Sequence, residues 1–206
     1  MNQPLPKEKS KTRGSFANLL IWAAIALLVR WQVVEPRWIP SGSMLPTLQI
    51  QDRILVEKIR PRIAKSQNKH LRMGSVVVFH PPERLLAEGY EQNSALIKRL
   101  VGLPGDVIEI RDGHLWRNKQ LIQEPWLNSP MNYQMSPIKV PENELWVLGD
   151  NRNNSLDSHF WGPLPEKSLI GTAIWRYWPL ENFGPIRFPT PPKIKHQEDT
   201  ALMSVS

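Results

Sequence analysis

Val107-Ile108-Glu109-Ile110-Arg111-Asp112-Gly113-His114-Leu115-Trp116-Arg117 decides the fold class. Apolar side chains alternate with polar ones on both sides of an Asp-Gly pair, the pattern of two half-buried strands joined by a two-residue hairpin. Working outward, the same short, β-branched runs recur at 53–58, 75–79, 95–101, 144–148 and 170–177. Between them stand many of the chain's 20 prolines. Leu103-Pro104-Gly105-Asp106 has proline and glycine at the central positions that a type II turn prefers. The chain therefore reads as mainly β, with residues 36–188 as the core domain. Residues 118–141, rich in Pro, Asn and Ser, read as an excursion from its sheet, and 189–206 as a flexible tail.

Upstream the pattern changes. Residues 16–34 (FANLLIWAAIALLVRWQVV) form a strongly apolar run of 19 residues, roughly 28 Å as a helix and close to a bilayer's hydrocarbon thickness. The reading is one N-terminal transmembrane helix. Lys7, Lys9, Lys11 and Arg13 precede it in a basic tail, 1–15, which the positive-inside rule keeps cytoplasmic, sending the domain across the membrane. Arg30 near the far end can snorkel, with Trp31 and Trp38 at headgroup level. The alternative is a cleaved secretory signal, but Glu35-Pro36-Arg37-Trp38 offers no small-x-small cleavage site.

Composition excludes several classes. The 206 residues, 41% of them hydrophobic, suffice for one domain with a sizeable core. With no cysteine, disulfide scaffolding, thiol catalysis and thiolate metal sites are out. The net charge of +7 comes in large part from the N-terminal tail, and no basic stripe interleaves with aromatics, so no nucleic-acid partner is expected. His70, His80, His114 and His196 lack paired ligand spacing, and neither a metal nor a cofactor is expected. Ser66-Gln67-Asn68-Lys69 has the Ser-x-x-Lys form of penicillin-binding enzymes without the partner motifs of that class.

Chemistry concentrates on Ser43, in Pro40-Ser41-Gly42-Ser43-Met44-Leu45-Pro46-Thr47-Leu48, nine residues beyond the apolar run. A serine hydroxyl needs a base, and an amine serves only when neutral. Lys98 is the candidate. On a strand through 95–101 it shares a face with Leu96 and Leu100, so it can be buried while Arg99 reaches elsewhere. Burial that moves its pKa from about 10.4 to near 7 corresponds to about 4 kcal/mol. A Ser43, His159, Asp157 triad is the rival, since geometry and not chain order defines a triad.

Four blocks resemble the bacterial type I signal peptidases, the Ser/Lys leader peptidases, in the order of that family. They are Ser41-Gly42-Ser43-Met44-x-Pro46-Thr47-Leu48, Asp52-Arg53-Ile54-Leu55-Val56-Glu57-Lys58, Lys98-Arg99-Leu100-Val101-Gly102-Leu103-Pro104-Gly105-Asp106, and Gly149-Asp150-Asn151-Arg152-Asn153-Asn154-Ser155-Leu156-Asp157-Ser158. The resemblance spans about 36–178. It implies a signal-peptidase-like antiparallel β catalytic domain, with Ser43 as nucleophile and Lys98 as general base. It further implies an oxyanion held by the Ser43 N–H and the Ser41 hydroxyl, Ser155 orienting the lysine, and Asp157, Asp150 and Arg152 supporting the late loop. Its substrates would be precursor proteins bearing signal peptides, cut after Ala-x-Ala at a membrane lipid surface. Small side chains would enter shallow pockets lined by Ile39, Met44, Leu48, Ile54, Leu96 and Ile97. Asn153, His159 and Gln51 depart from the family's usual aspartate, arginine and glycine. The alternatives are an inactive anchored binding module of the same fold, and the self-cleaving repressors related to it, whose DNA-binding module residues 1–35 lack. The oligomeric state and the host membrane, cell or thylakoid, stay open.

Overall fold

β-branched and aromatic residues favour a pleated, half-buried backbone, and proline tolerates only its edges. In the structure, a computed structural model that describes residues 12–59 and 71–186, both rules are visible. Helix α1, Thr12–Gln32, is followed by β1 (Val34–Trp38), β2 (Arg53–Glu57), β3 (Val76–Phe79), α2 (Glu83–Ala87), β4 (Leu96–Gly102), β5 (Val107–Arg111) and β6 (His114–Arg117). Then come β7 (Gln120–Leu121), β8 (Met135–Lys139), β9 (Glu144–Leu148), α3 (Ser158–Trp161), β10 (Leu164–Pro165), β11 (Leu169–Trp178) and β12 (Gly184–Pro185).

Two antiparallel sheets result. The larger runs β1-β2-β11-β3-β4-β9-β10, with β12 beside β11, and the smaller runs β7-β6-β5-β8. Proline marks the margins: Pro36 lies in β1, Pro137 in β8 and Pro165 in β10, each at the end of its sheet. The Asp112-Gly113 turn joins β5 to β6 with both residues at positive φ, 53° and 76°, as the two-residue hairpin requires. Residues 118–141, expected as an excursion from the core sheet, hold β7 and β8, both in the smaller sheet. Their end is β8, which pairs with β5 and completes the smaller sheet.

Apolar burial falls into three clusters. One holds Ile39, Met44, Leu48, Ile54, Val56, Val76, Val78 and Ile97. A second packs Val77, Phe79, Leu85, Leu100, Val147 and Trp161. A third, around Val101, Ile108, Ile110, Met131, Trp146 and Leu148, joins the two sheets. β3 and β4 are consequently covered on both faces, and all four residues of β3 are buried. That corrects the expectation for Arg99: with both faces of β4 covered, Lys98 and Arg99 point opposite ways and are both buried, 4% and 1% exposed.

The expected span 16–34 corresponds to α1, which ends at Gln32, while Val34 and Trp38 belong to β1. The side chains of residues 16–28 are exposed. Among the described residues no helix is long and apolar enough to cross a membrane. Polar Asn18 and Arg30 lie within α1, and it closes on Gln32. The Ser66-x-x-Lys69 motif, most of the basic tail and the segment 189–206 lie outside the described residues.

Candidate active site

A serine becomes useful when its loop is pinned from below and its hydroxyl meets a base. Gly42–Met44 is a single 3₁₀ turn, entered through an extended Ser41 whose hydroxyl makes no capping bond. Met44 and Leu48 are fully buried beneath it. Each such burial contributes about 1.5–3 kcal/mol, which fixes the turn without engaging Ser43. Ile39 N–H donates to Asp52 O (2.9 Å) and Gln51 N–H to Ile39 O (2.8 Å), tying the ends of the loop together. Gln51 holds φ at +73°, the left-handed region that the family's usual glycine fills without strain. Buried Asp52, whose carboxylate accepts from Gln49 N–H and from Arg176, closes the base of this loop.

Lys98 arrives from β4, opposite Val77 of β3, and its Nζ donates to Ser43 Oγ at 2.7 Å. Ser41 Oγ lies 3.5 Å from Ser43 Oγ. Desolvation is the largest influence on Lys98 and lowers its pKa from 10.5 to about 8, against the opposing pull of Asp157 and then Asp150. A substantial neutral fraction therefore exists in mildly alkaline solution, which is the form able to accept the serine proton.

The late loop closes the site from the other side. Asn151 N–H donates to Ser43 O (3.0 Å) and Asn151 Nδ2 to Gly42 O (3.2 Å). Gly149 fits only because it lacks a side chain: a Cβ there would collide with Ser155 Oγ and sit 2.6 Å from Ser43 O. Ser155 is buried, but its Oγ makes no hydrogen bond, so the expected bond to Lys98 is absent here. Packing against Gly149 fixes its position instead.

The three supporting residues are present but do not pair with one another. Asp150 accepts from Arg99 Nε (2.7 Å), Arg99 Nη2 (2.5 Å) and Thr47 Oγ1 (2.5 Å). Arg99 also donates to Gly74 O and stacks its guanidinium 5.0 Å above the Trp126 ring. Arg152 turns away, to Glu124. Asp157, fully buried, accepts from Gly149 N–H at 2.8 Å and contacts His159 Nδ1 at 2.7 Å. His159 thus takes up the acid's free oxygen where the family usually has arginine. Asn153, in place of the usual aspartate, accepts from Asn132 N–H and donates to Pro130 O. The pair Asp157 and His159 supplies two of a triad's three members, yet Ser43 Oγ meets Lys98 and makes no hydrogen bond to His159.

Of the six expected pocket residues, Ile39, Met44, Leu48, Ile54 and Ile97 share one buried cluster, whereas Leu96 packs with the second. Leu96 and Ile97 are consecutive on β4 and face opposite ways, so they cannot line the same pocket. Arg99, Thr47, Glu124, Trp126, Tyr133 and Gly149 are site residues that the sequence reading does not single out. Arg99, Thr47 and Gly149 stand inside the family blocks; Glu124, Trp126 and Tyr133 carry no local signal, because their partners lie far along the chain. Among the described residues no group of three or more His, Asp or Glu could hold a metal ion.

The family model described as signal peptidase, peptidase S26, matches residues 13–178. A probable signal peptidase I-1 of Synechocystis sp. is 41% identical over 183 residues, covering 89% of this chain and 91% of that one. A signal peptidase I of Leptolyngbya laminosa is 42% identical over 87% of this chain and 86% of its own. A probable thylakoidal processing peptidase 2 of Arabidopsis thaliana is 43% identical over 75% of this chain and 41% of its own. With most of its length matched and Ser43 and Lys98 inside what is matched, this chain belongs to the signal peptidase family, peptidase S26.

Proposed function

We propose that the chain is a membrane-bound serine endopeptidase that removes hydrophobic N-terminal signal peptides from exported precursors, cutting after Ala-x-Ala with a Ser/Lys dyad. The observation that carries this reading is the 2.7 Å contact between Lys98 Nζ and Ser43 Oγ. Neutral Lys98 takes the hydroxyl proton as Ser43 Oγ attacks the scissile carbonyl carbon. The resulting oxyanion accepts from Ser43 N–H and the Ser41 hydroxyl, and one such donor is worth about 3–4 kcal/mol in the transition state. Protonated Lys98 then returns the proton to the departing amine as the peptide C–N bond breaks. Water, deprotonated by Lys98, hydrolyses the ester on Ser43 and frees the signal peptide's carboxyl terminus.

α1 is the anchor in this reading. The support for it is the apolar run 16–34 together with the uncovered side chains of Phe16, Leu19, Leu20, Ile21, Trp22 and Leu28, although among the described residues no helix by itself is long and apolar enough to cross a membrane. The N-terminus stays cytoplasmic and the catalytic domain stands on the far side of a cell or thylakoid membrane. Ser43, nine residues beyond Val34, stays within about 30 Å of that face, where a signal peptide presents its cleavage site. The pocket for the small side chains is built from the Ile39, Met44, Leu48, Ile54 and Ile97 cluster.

Precursor cleavage by Ser43→Ala and Lys98→Ala variants tests the proposal. Both lose it; normal processing by either one refutes the dyad.

A further inference from the structure

Arg152 is the late-loop residue whose partner the sequence conceals. Its Nη1 and Nη2 donate to the two carboxylate oxygens of Glu124, each at 2.6 Å, and the two side chains are 1% and 6% exposed. Its Nε donates to Gly149 O at 3.0 Å. Gly149 is the residue packed beneath the Ser43 carbonyl and against Ser155 Oγ. A continuous path thus runs from Glu124, in the segment between β7 and β8, through Arg152 and Gly149 to the underside of the nucleophile.

The same segment grips the site at other points. Trp126 stacks on Arg99, the neighbour of Lys98. Pro130 and Asn132 are bonded to Asn153. Tyr133 stacks on His159 at 4.2 Å between ring centres. The segment is itself seated on the hairpin, where Met131 N–H donates to Gly113 O at 3.0 Å and a Cβ on Gly113 would lie 2.9 Å from Pro130.

We infer that Glu124 is a positioning residue for the peptidase reaction, and that the segment 122–134 is a strap that holds the late loop, through Arg152, at the height that keeps Ser43 against Lys98. The inference rests on the Ser/Lys reading above. A bidentate carboxylate fixes both the direction and the rotation of a guanidinium, which a single-oxygen acceptor does not. A neutral glutamine in place of Glu124 would keep the shape but supply only one acceptor oxygen.

The test is steady-state cleavage of a precursor peptide by the full chain in detergent, for wild type, Glu124→Gln, Glu124→Asp and Leu169→Ala, each with its thermal midpoint. Leu169, on β11 outside the strap, packs half-buried against the second apolar cluster, so it calibrates what lost stability by itself does. Well below every midpoint, Glu124→Gln lowers kcat about ten- to a hundredfold with KM within about twofold, and Glu124→Asp recovers part of the loss. If Glu124→Gln lowers only the midpoint, as Leu169→Ala does, and keeps wild-type kcat, the inference is overturned. Should Glu124→Gln fail to fold, the apolar pair Glu124→Leu/Arg152→Met replaces it, since a buried ion pair exchanged as a unit is tolerated. That double variant folds but has reduced kcat; full kcat in it also overturns the inference. Ser43→Ala is assayed alongside, because activity there would count against the dyad and not against the strap.

Discussion

Arg99 and Asp150 form a bidentate ion pair, 2.7 Å and 2.5 Å, with side chains only 2% and 0% exposed, and it lies one residue from the proposed base. It locks β4 to the start of the late loop and, through Thr47, to the nucleophile's own loop. Asp150→Ala leaves a guanidinium buried without its counter-charge. The expected loss is about 3–5 kcal/mol in chemical denaturation, with precursor cleavage abolished. A loss below about 1 kcal/mol would mean that the pair does not hold the two elements together.

Gly149→Ala brings a methyl group against Ser155 Oγ and Ser43 O at separations that no packed atoms adopt. Ser43 is displaced and acylation slows about a hundredfold. Single-turnover labelling of Ser43 by a serine-directed acylating inhibitor reads this directly, and a rate within about twofold of wild type would contradict it.

Gln51 holds the left-handed backbone at φ +73°, a conformation that costs a residue with a side chain about 1–2 kcal/mol. Glycine recovers that strain and gives back part of it as unfolded-chain entropy. Gln51→Gly is therefore stabilising by about 0.5–1 kcal/mol, which a scanning melt detects as a midpoint about 1–4 °C higher. A lower midpoint refutes the assignment of strain.

Lys98 has a folded-state pKa of about 8 against 10.5 when solvated. Between those values the unfolded chain binds the proton that the folded chain has released, so stability rises with pH across that window, by about 3 kcal/mol in all. Below pH 8 the ammonium stays buried at a cost. Lys98→Met, which removes that cost, melts higher than wild type at about pH 7, and the gap narrows as pH climbs from about 8 towards 10. A gap independent of pH would show that Lys98 is not desolvated.

Where chain-local rules apply, the fold was legible. The Asp112-Gly113 hairpin follows from two alternating runs and two residues suited to positive φ. β1 was hidden because Val34-Glu35-Pro36-Arg37-Trp38 carries two charges and a proline, and it is a strand only because β2 offers an edge that needs no proton from Pro36. β8, with Pro137, was hidden likewise. Alternation correctly set Lys98 and Arg99 on opposite faces, but it could not tell that both faces of β4 are covered. The Glu124 to Arg152 pair spans 28 residues and belongs to no repeating pattern, so only the folded chain brings it into view.

The most direct test of the central claim is cleavage of a precursor bearing Ala-x-Ala by wild type, Lys98→Met and His159→Ala in detergent across pH. Lys98→Met is inactive, His159→Ala cuts, and wild-type kcat/KM rises with pH through about 8 as Lys98 loses its proton. If His159→Ala is inactive while Lys98→Met still cuts, the base is a histidine of the triad kind, and the Ser43 to Lys98 dyad is wrong.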